Sequence, residues 1–336
     1  MKHKFSPADT EKIKHLIKIR QQNNDVAWKL CDYLNNTPCL ITKELMEGAN
    51  SNGILSEEMV YSALLSIFCG LDTETNKHDR QLEMDYFLPA VKKLNIETYT
   101  HNSYYQCIQI PETEFGHWKL AYQKYQPYEA FIYNDLIEKP DFRKFPGIGF
   151  FDKNFSFPTV MENNHEWMSI KPSEIETTQF AIDAVCGNVV TFGLGLGYYV
   201  YMVSCKKEVN TITVIEKDPE VIRLFKQIIL PQFEQAKKVE IICADAFKYV
   251  EKEIEARAFD YAFVDLWHDV SDGLELYLRM KNLEQLSPAT KFLYWVEDSL
   301  LSGLQWQIFD SVIQNARSYE EVCLKLSKQF LKKLVA

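Results

Sequence analysis

Three glycines at alternating positions, Gly193, Gly195 and Gly197, stand in the run Asn188-Val-Val-Thr-Phe-Gly193-Leu-Gly195-Leu-Gly197-Tyr-Tyr, and Glu216 closes a second apolar run, Thr211-Ile-Thr-Val-Ile. Glycines at such a turn let the backbone approach a ligand closely, and a carboxylate at the end of the next strand accepts two hydrogen bonds from ribose hydroxyls. Together these residues support the holding of an adenosine nucleoside. The spacing also separates ligand classes. A dinucleotide fingerprint, G-x-G-x-x-G, calls for its third glycine at position 198, where this chain has Tyr198, too large for the close helix–strand contact. A ligand without a pyrophosphate does not need that contact. Further on, Asp265-Leu-Trp-His268-Asp269-Val-Ser-Asp272 gathers acids, an indole and an imidazole. A histidine beside carboxylates serves as a base near neutral pH. The alternative is that Asp269 and Asp272 cap the next helix and His268 merely packs.

These residues need elements to position them. Asn188–Phe192 reads as a first buried strand, and the glycines as the turn into a helix. Thr211–Glu216, Lys238–Cys243, Ala258–Val264 and Lys291–Val296 read as four more strands, with apolar helix-length segments between them. Strands alternating with helices in short units imply a parallel sheet covered on both faces. Ligands in such sheets bind beyond the carboxyl ends of the strands. Four of those ends carry acids: Glu216, Asp245, Asp265 and Glu297. Asp218 before Pro219 reads as a helix N-cap, and Asp245 has that role open to it as well.

The glycine pattern, with the order of strands and acids over roughly residues 170–317, resembles class I S-adenosylmethionine-dependent methyltransferases, and their spermidine-synthase-like branch in particular. The resemblance implies an α/β fold with a Rossmann-like, doubly wound parallel sheet, and S-adenosylmethionine as the cofactor. It implies that the Gly193–Gly197 loop underlies the methionine and ribose, and that Glu216 holds the ribose hydroxyls. Asp245 then accepts from the adenine amino group, Ala246 offers a backbone N–H, and Asp265 sits beside the sulfonium and the substrate. His268 and Asp269 stand with Asp265 as candidates for catalysis. The segment after the fourth strand lacks the D-P-P-Y-like motif of enzymes that methylate DNA-base amino groups, and the Pro-Cys nucleophile of those that methylate cytosine carbon. The expected acceptor is therefore a small molecule or a protein side chain. Two alternatives remain. One is aminopropyl transfer from decarboxylated S-adenosylmethionine, although that family carries an aspartate in its glycine loop and D-x-x-D-P after the fourth strand. Here the loop has Leu194, Leu196 and Tyr198, and Val270 follows Asp269. The other is a non-catalytic nucleoside-binding or assembly protein on the same fold. The family's final antiparallel strand pair is not evident. Leu300–Arg317 and Tyr319–Val335 read as helices, with Val322–Leu326 as a strand in the alternative, and a shortened sheet edge leaves room for a partner subunit, a second copy included.

A length of 336 residues and an apolar fraction of 46% fit a globular protein of two domains, or one with a large extension. The chain divides into an N-terminal helical region (1–95), a small β region with an aromatic lid or linker (96–165), and the cofactor-binding domain (166–336). No apolar run spans a bilayer, and Met1-Lys-His-Lys-Phe-Ser-Pro lacks a signal-peptide core, so the expected location is cytoplasmic, away from membranes. A formal net charge of −10 argues against nucleic-acid partners. None of the eight cysteines forms a C-x-x-C pair, so no metal site is expected, and Cys186, Cys205 and Cys243 read as small core residues.

In the first half, Ser6-Pro7 and Thr37-Pro38 read as helix starts. Ile13, Leu16 and Ile17 mark one apolar helix face, Val60, Ala63, Leu64 and Ile67 another, and His15 and His78 read as solvated. Tyr104–Ile110, Trp118–Tyr122 and Ala130–Tyr133 read as short strands. Residues 139–172, rich in proline, glycine and phenylalanine, read as a long irregular segment that walls or lids the substrate pocket. It leads into Ser173–Glu176, a capping box opening the helix before the first strand.

Overall fold

The apolar runs of the second half form a sheet. A computed structural model of the chain describes residues 7–315 apart from Asn52 and Asn164. Its five central strands are β1 (Gly187–Phe192), β2 (Val209–Glu216), β3 (Val239–Cys243), β4 (Tyr261–Val264) and β5 (Lys291–Tyr294). They lie in the order 3-2-1-4-5, every pair parallel. Each crossover carries helix: α1 (Pro172–Ala184) precedes β1, and α2 (Tyr198–Ser204), α3 (Pro219–Leu224), α4 (Ala246–Lys252), α5 (Val270–Leu283) and α6 (Glu297–Asn315) follow the successive strands.

Alternation along the strands shows both faces covered. Val190, Phe192, Ile215, Ala262, Val264 and Tyr294 enter one core with Tyr249 of α4, Tyr277 of α5 and Leu300 of α6. Phe263, between Ala262 and Val264, turns the other way and stacks on Tyr199 of α2 at 4.2 Å. Successive strand residues point to opposite faces, so a strand buried on both is a continuous apolar run, as these are. The result is a mixed α/β unit whose parallel sheet and helical layers are consistent with a Rossmann-like fold.

This sheet belongs to a compact unit made of His101–Tyr122 and the chain from Pro158 on. The other unit takes the described residues up to Thr100 together with Gln123–Phe157. The expected cut into consecutive segments 1–95, 96–165 and 166–336 is thereby redrawn: the β region is divided between the units, and the division falls within the strands Trp118–Tyr125 and Phe155–Glu162. In the second unit the helices Pro7–Asn36 and Glu57–Phe68 pack with a three-stranded sheet whose middle strand is Lys144–Phe150. Tyr61 stacks on Phe150 at 4.0 Å and donates its hydroxyl hydrogen to the Tyr128 carbonyl.

Several local expectations are corrected. Residues 104–110 do not begin a strand: the Asn102 side chain accepts the Tyr104 N–H and starts the short helix Ser103–Cys107. Most of 139–172 is not irregular but forms the strands Lys144–Phe150, Phe155–Glu162 and His165–Ser169. Its glycines are packing devices rather than breaks. A Cβ on Gly147 would lie 2.8 Å from the Tyr133 ring, and one on Gly149 2.9 Å from the Phe131 ring. Thr37-Pro38 forms a turn, and the next helix begins at Lys43, where Thr42 accepts the Leu45 N–H. The capping box at Ser173–Glu176 is absent, because α1 starts earlier, with Pro172 in its first turn and no side-chain cap from Lys171. Ile67 is exposed, and the buried face of its helix is Val60, Tyr61 and Leu65. Cys186, Cys205 and Cys243 are exposed and not core residues: Cys186 lies in the connection between α1 and β1, Cys205 caps α2 and Cys243 ends β3. His15 and His78 are exposed as expected. The readings of Tyr319–Val335 and Val322–Leu326 lie outside the described residues. Among those described, no helix is long and apolar enough to cross a membrane.

Candidate nucleoside site

Strand order reverses between β1 and β4, and the last rungs of the sheet bring the chemical residues to that point. Gly193 N–H donates to the Ile215 carbonyl, Asp265 N–H to the Phe192 carbonyl, and Ala244 N–H to the Glu216 carbonyl, each at 3.0 Å. The ends of β1, β2, β3 and β4 are therefore level, with Gly193, Glu216 and Asp265 side by side. Crevices at such a reversal are where open parallel sheets take their ligands. Gly193 has φ +100°, and a side chain there would overlap the Asp265 carbonyl oxygen. Gly197, at φ +73°, leads into α2, and a Cβ on it would enter the Phe225 ring. Tyr198, at the position of the third dinucleotide glycine, is buried.

Glu216 is buried at 8% exposure and braces the loop. One carboxylate oxygen accepts the Leu194 N–H at 3.2 Å, the other the Asp218 N–H at 2.9 Å. Burial raises its pKa, against the pull of these N–H groups. A carboxylate has about four acceptor positions, so after these bonds it retains room for a ribose hydroxyl. The residues thus fit a nucleoside: a loop with glycine at every second position and a fixed acceptor beside it.

Two further carboxyls crowd the same end. Asp265 is pushed up to about 7 by burial and by the charge of Glu216. Glu174, in the first turn of α1, is pushed up to about 8 by burial and then by Asp265, with Lys171 pulling it back. The two protons belong to the pair rather than to either residue. Like charges that act on each other disfavour a second ionisation, and a nearby cation offsets the penalty.

The strand before α1 supplies a wall. The Leu196 N–H donates to the Met168 sulfur at 3.0 Å, and that sulfur lies 2.6 Å from where a Cβ on Gly195 would be. The Met168 thioether is the far end of a flexible side chain and can yield to a ligand. Next to it, Trp167 meets the exposed His268 ring at 6.4 Å and the buried Trp118 ring at 4.8 Å. On the opposite side Tyr104 donates to the Leu196 carbonyl at 2.6 Å and its ring contacts Tyr198 at 5.6 Å.

Of the residues expected from sequence, Gly193, Gly195, Gly197, Glu216 and Asp265 come together at the reversal point. Asp245 and Ala246 begin α4 just beyond β3, where the exposed Asp245 carboxylate caps the helix by accepting the Lys248 N–H at 3.0 Å. Asp218 caps α3 as anticipated. His268 is exposed at the mouth. Asp269 and Asp272 form the capping box of α5, the bland alternative for that pair. Glu297 is taken up in packing, with the Tyr277 hydroxyl at 2.7 Å and Lys281 at 3.3 Å. Sequence reasoning missed Glu174, because an acid in a helix's first turn is commonplace for the dipole alone. Met168 and Trp167 lay in the segment expected to wall the pocket, without being singled out.

No family model matches this sequence, and no curated protein does. Among solved structures, spermidine synthase from Thermotoga maritima is similar at 18% identity and a TM-score of 0.32, over 56% of this chain and 61% of that one. The match spans less than two thirds of that protein, and a likeness of this size carries no argument about activity. The description of the fold rests on strand order and register.

Proposed function

We propose that the chain is an S-adenosylmethionine-dependent methyltransferase acting on a small molecule or a protein side chain. One observation carries the proposal. At the reversal point of an all-parallel 3-2-1-4-5 sheet, a glycine loop lacking the third dinucleotide glycine lies against Glu216, a braced carboxylate on the neighbouring strand. In this reading the loop backbone underlies the methionine and ribose, Glu216 accepts from the ribose, and Asp245 with the Ala246 N–H meets the adenine. When bound, the cofactor supplies a methyl group activated on a sulfonium. Glu174 and Asp265 favour the positive charge at that end, since a nearby cation draws their raised pKa values down. Asp265 orients the acceptor. His268, exposed at the mouth, takes the acceptor's proton, and Asp269 holds the turn that presents it by capping α5.

A second reading, aminopropyl transfer from the decarboxylated cofactor, uses the same cradle. The crowding of Glu174, Glu216 and Asp265 favours it, since an amine acceptor enters as a cation. Against it stand the apolar loop residues Leu194 and Leu196 and the missing D-x-x-D-P. Incubating the full chain with each donor and a panel of amine, hydroxyl and peptide acceptors separates the readings by the product's mass. A methyl increment with S-adenosylmethionine supports the first. An aminopropyl increment found only with the decarboxylated donor replaces it with the second.

A further inference from the structure

The Leu196 peptide is held from both sides. Its carbonyl accepts the Tyr104 hydroxyl hydrogen at 2.6 Å, and its N–H donates to the Met168 sulfur at 3.0 Å. Leu196 and Tyr104 are buried, so the plane of this peptide is fixed and its N–H has to be met where it points. The sulfur and the terminal methyl carbon of Met168 lie 2.6 Å and 2.9 Å from where a Cβ on Gly195 would be. The space that this glycine opens beside the loop is thus filled by a thioether of the chain itself. The strand His165–Ser169 is shaped to present it. This strand is the edge of a four-stranded sheet, and its register on Phe155–Glu162 slips: Met161 pairs with Glu166 and Val160 with Met168, which leaves Trp167 as an extra residue. Such a bulge re-aims the side chains around it. Here Met168 meets the glycine loop, and Trp167 meets the His268 ring at 6.4 Å. We propose that Met168 is a self-ligand of the glycine loop: in the free protein its thioether holds the place of the ligand's methionyl end, and binding exchanges one for the other. The ligand named here rests on the cofactor reading; the contact of Met168 with the loop does not.

The exchange is favoured by the chemistry of the acceptors. A thioether accepts a hydrogen bond weakly. A carboxylate oxygen on the same N–H makes a charge-assisted bond roughly twice as strong as one between neutral groups. Met168 has the freedom to leave, with three rotatable bonds and a half-buried place on an edge strand. Tyr104 keeps the Leu196 N–H pointing the same way as one acceptor replaces the other. Release of the thioether sets a cost on ligand affinity. While Met168 sits on the loop the site is closed, and apparent affinity falls with the fraction of molecules that are open. Met168 therefore weakens binding, whereas a simple wall residue strengthens it.

The test compares the full-length wild type with Met168→Ala and with Met168→Leu, which keeps the bulk of the side chain and removes its acceptor. Two quantities are read: amide hydrogen exchange at Leu196 by nuclear magnetic resonance without added ligand, and the affinity for S-adenosylhomocysteine by calorimetry. In both variants the Leu196 amide should exchange roughly fivefold faster or more, since its hydrogen bond is gone. Met168→Ala should bind S-adenosylhomocysteine roughly 3–10-fold more tightly than the wild type, because nothing has to be displaced. Met168→Leu should bind no more weakly than the wild type, and it carries the test alone if the alanine variant does not fold. Leu196 exchange equal in all three proteins would overturn the self-ligand whatever binds. Weaker binding in the variants would overturn it as well, and make Met168 a wall that supports the ligand. Absence of binding in all three would fell the cofactor reading and with it the ligand named here, while the exchange rates would still decide whether Met168 holds the loop.

Discussion

Asp265 and Glu174 have the most direct consequence at the scale of single residues. Both pKa values lie above the ordinary carboxylate range of about 4, at about 7 and about 8, from burial first, then from the charge of Glu216 on Asp265 and of Asp265 on Glu174. The folded state therefore holds more protons than the unfolded chain between those limits, and stability falls as pH rises through that window. Denaturation of the ligand-free protein at pH 5, 6.5 and 8 should show this decline, and Asp265→Asn should flatten it. A wild type and variant with the same pH profile would show that Asp265 does not take up its proton within that window. His268 and Asp269 separate by a different measurement. Removing the Asp269 cap by substitution with alanine should cost about 1 kcal/mol of stability. His268→Ala should leave stability and cofactor affinity unchanged but lower turnover, because a proton acceptor acts mainly in the transition state. Unchanged turnover in the histidine variant would leave Asp265 as the positioning group and dismiss a histidine base.

At the scale of elements, the strands were legible because parallel strands buried on both faces leave unbroken apolar runs, and the ends of those runs fixed where Gly193, Glu216 and Asp265 had to lie. Elements whose residues speak for packing rather than for backbone preference were not legible. Tyr104 and Tyr105 resemble strand residues, yet Asn102 caps a helix there. Gly147 and Gly149 resemble loop punctuation, yet they make room for aromatic rings in a sheet. Glycines with opposite demands allow a matched test. Gly197→Ala forces a left-handed backbone and a clash with the core ring Phe225, and should cost roughly 2–4 kcal/mol. Gly303 lies in α6 with nothing within 4 Å of a Cβ. Gly303→Ala should therefore stabilise by about 0.5–1 kcal/mol. Urea denaturation measures both, and equal effects would show that the loop geometry is not what Gly197 serves.

For the whole molecule, composition gave a two-part globular chain, but not where it divides, because the long β segment feeds two compact units and local sequence carries no mark of that sharing. Every residue of the candidate site falls within the unit built from His101–Tyr122 and the chain after Pro158. The central claim is that this unit holds an adenosine sulfonium cofactor on Gly193–Gly197 and Glu216. The measurement that tests it most directly is calorimetric titration of the full chain with S-adenosylmethionine, S-adenosylhomocysteine and NAD, repeated with Glu216→Ala. Saturable binding of the first two and none of NAD is expected. The variant should lose roughly 1.5–3 kcal/mol or more, as a carboxylate accepting from ribose is removed. Preference for NAD, or equal affinity in wild type and variant, would contradict that claim.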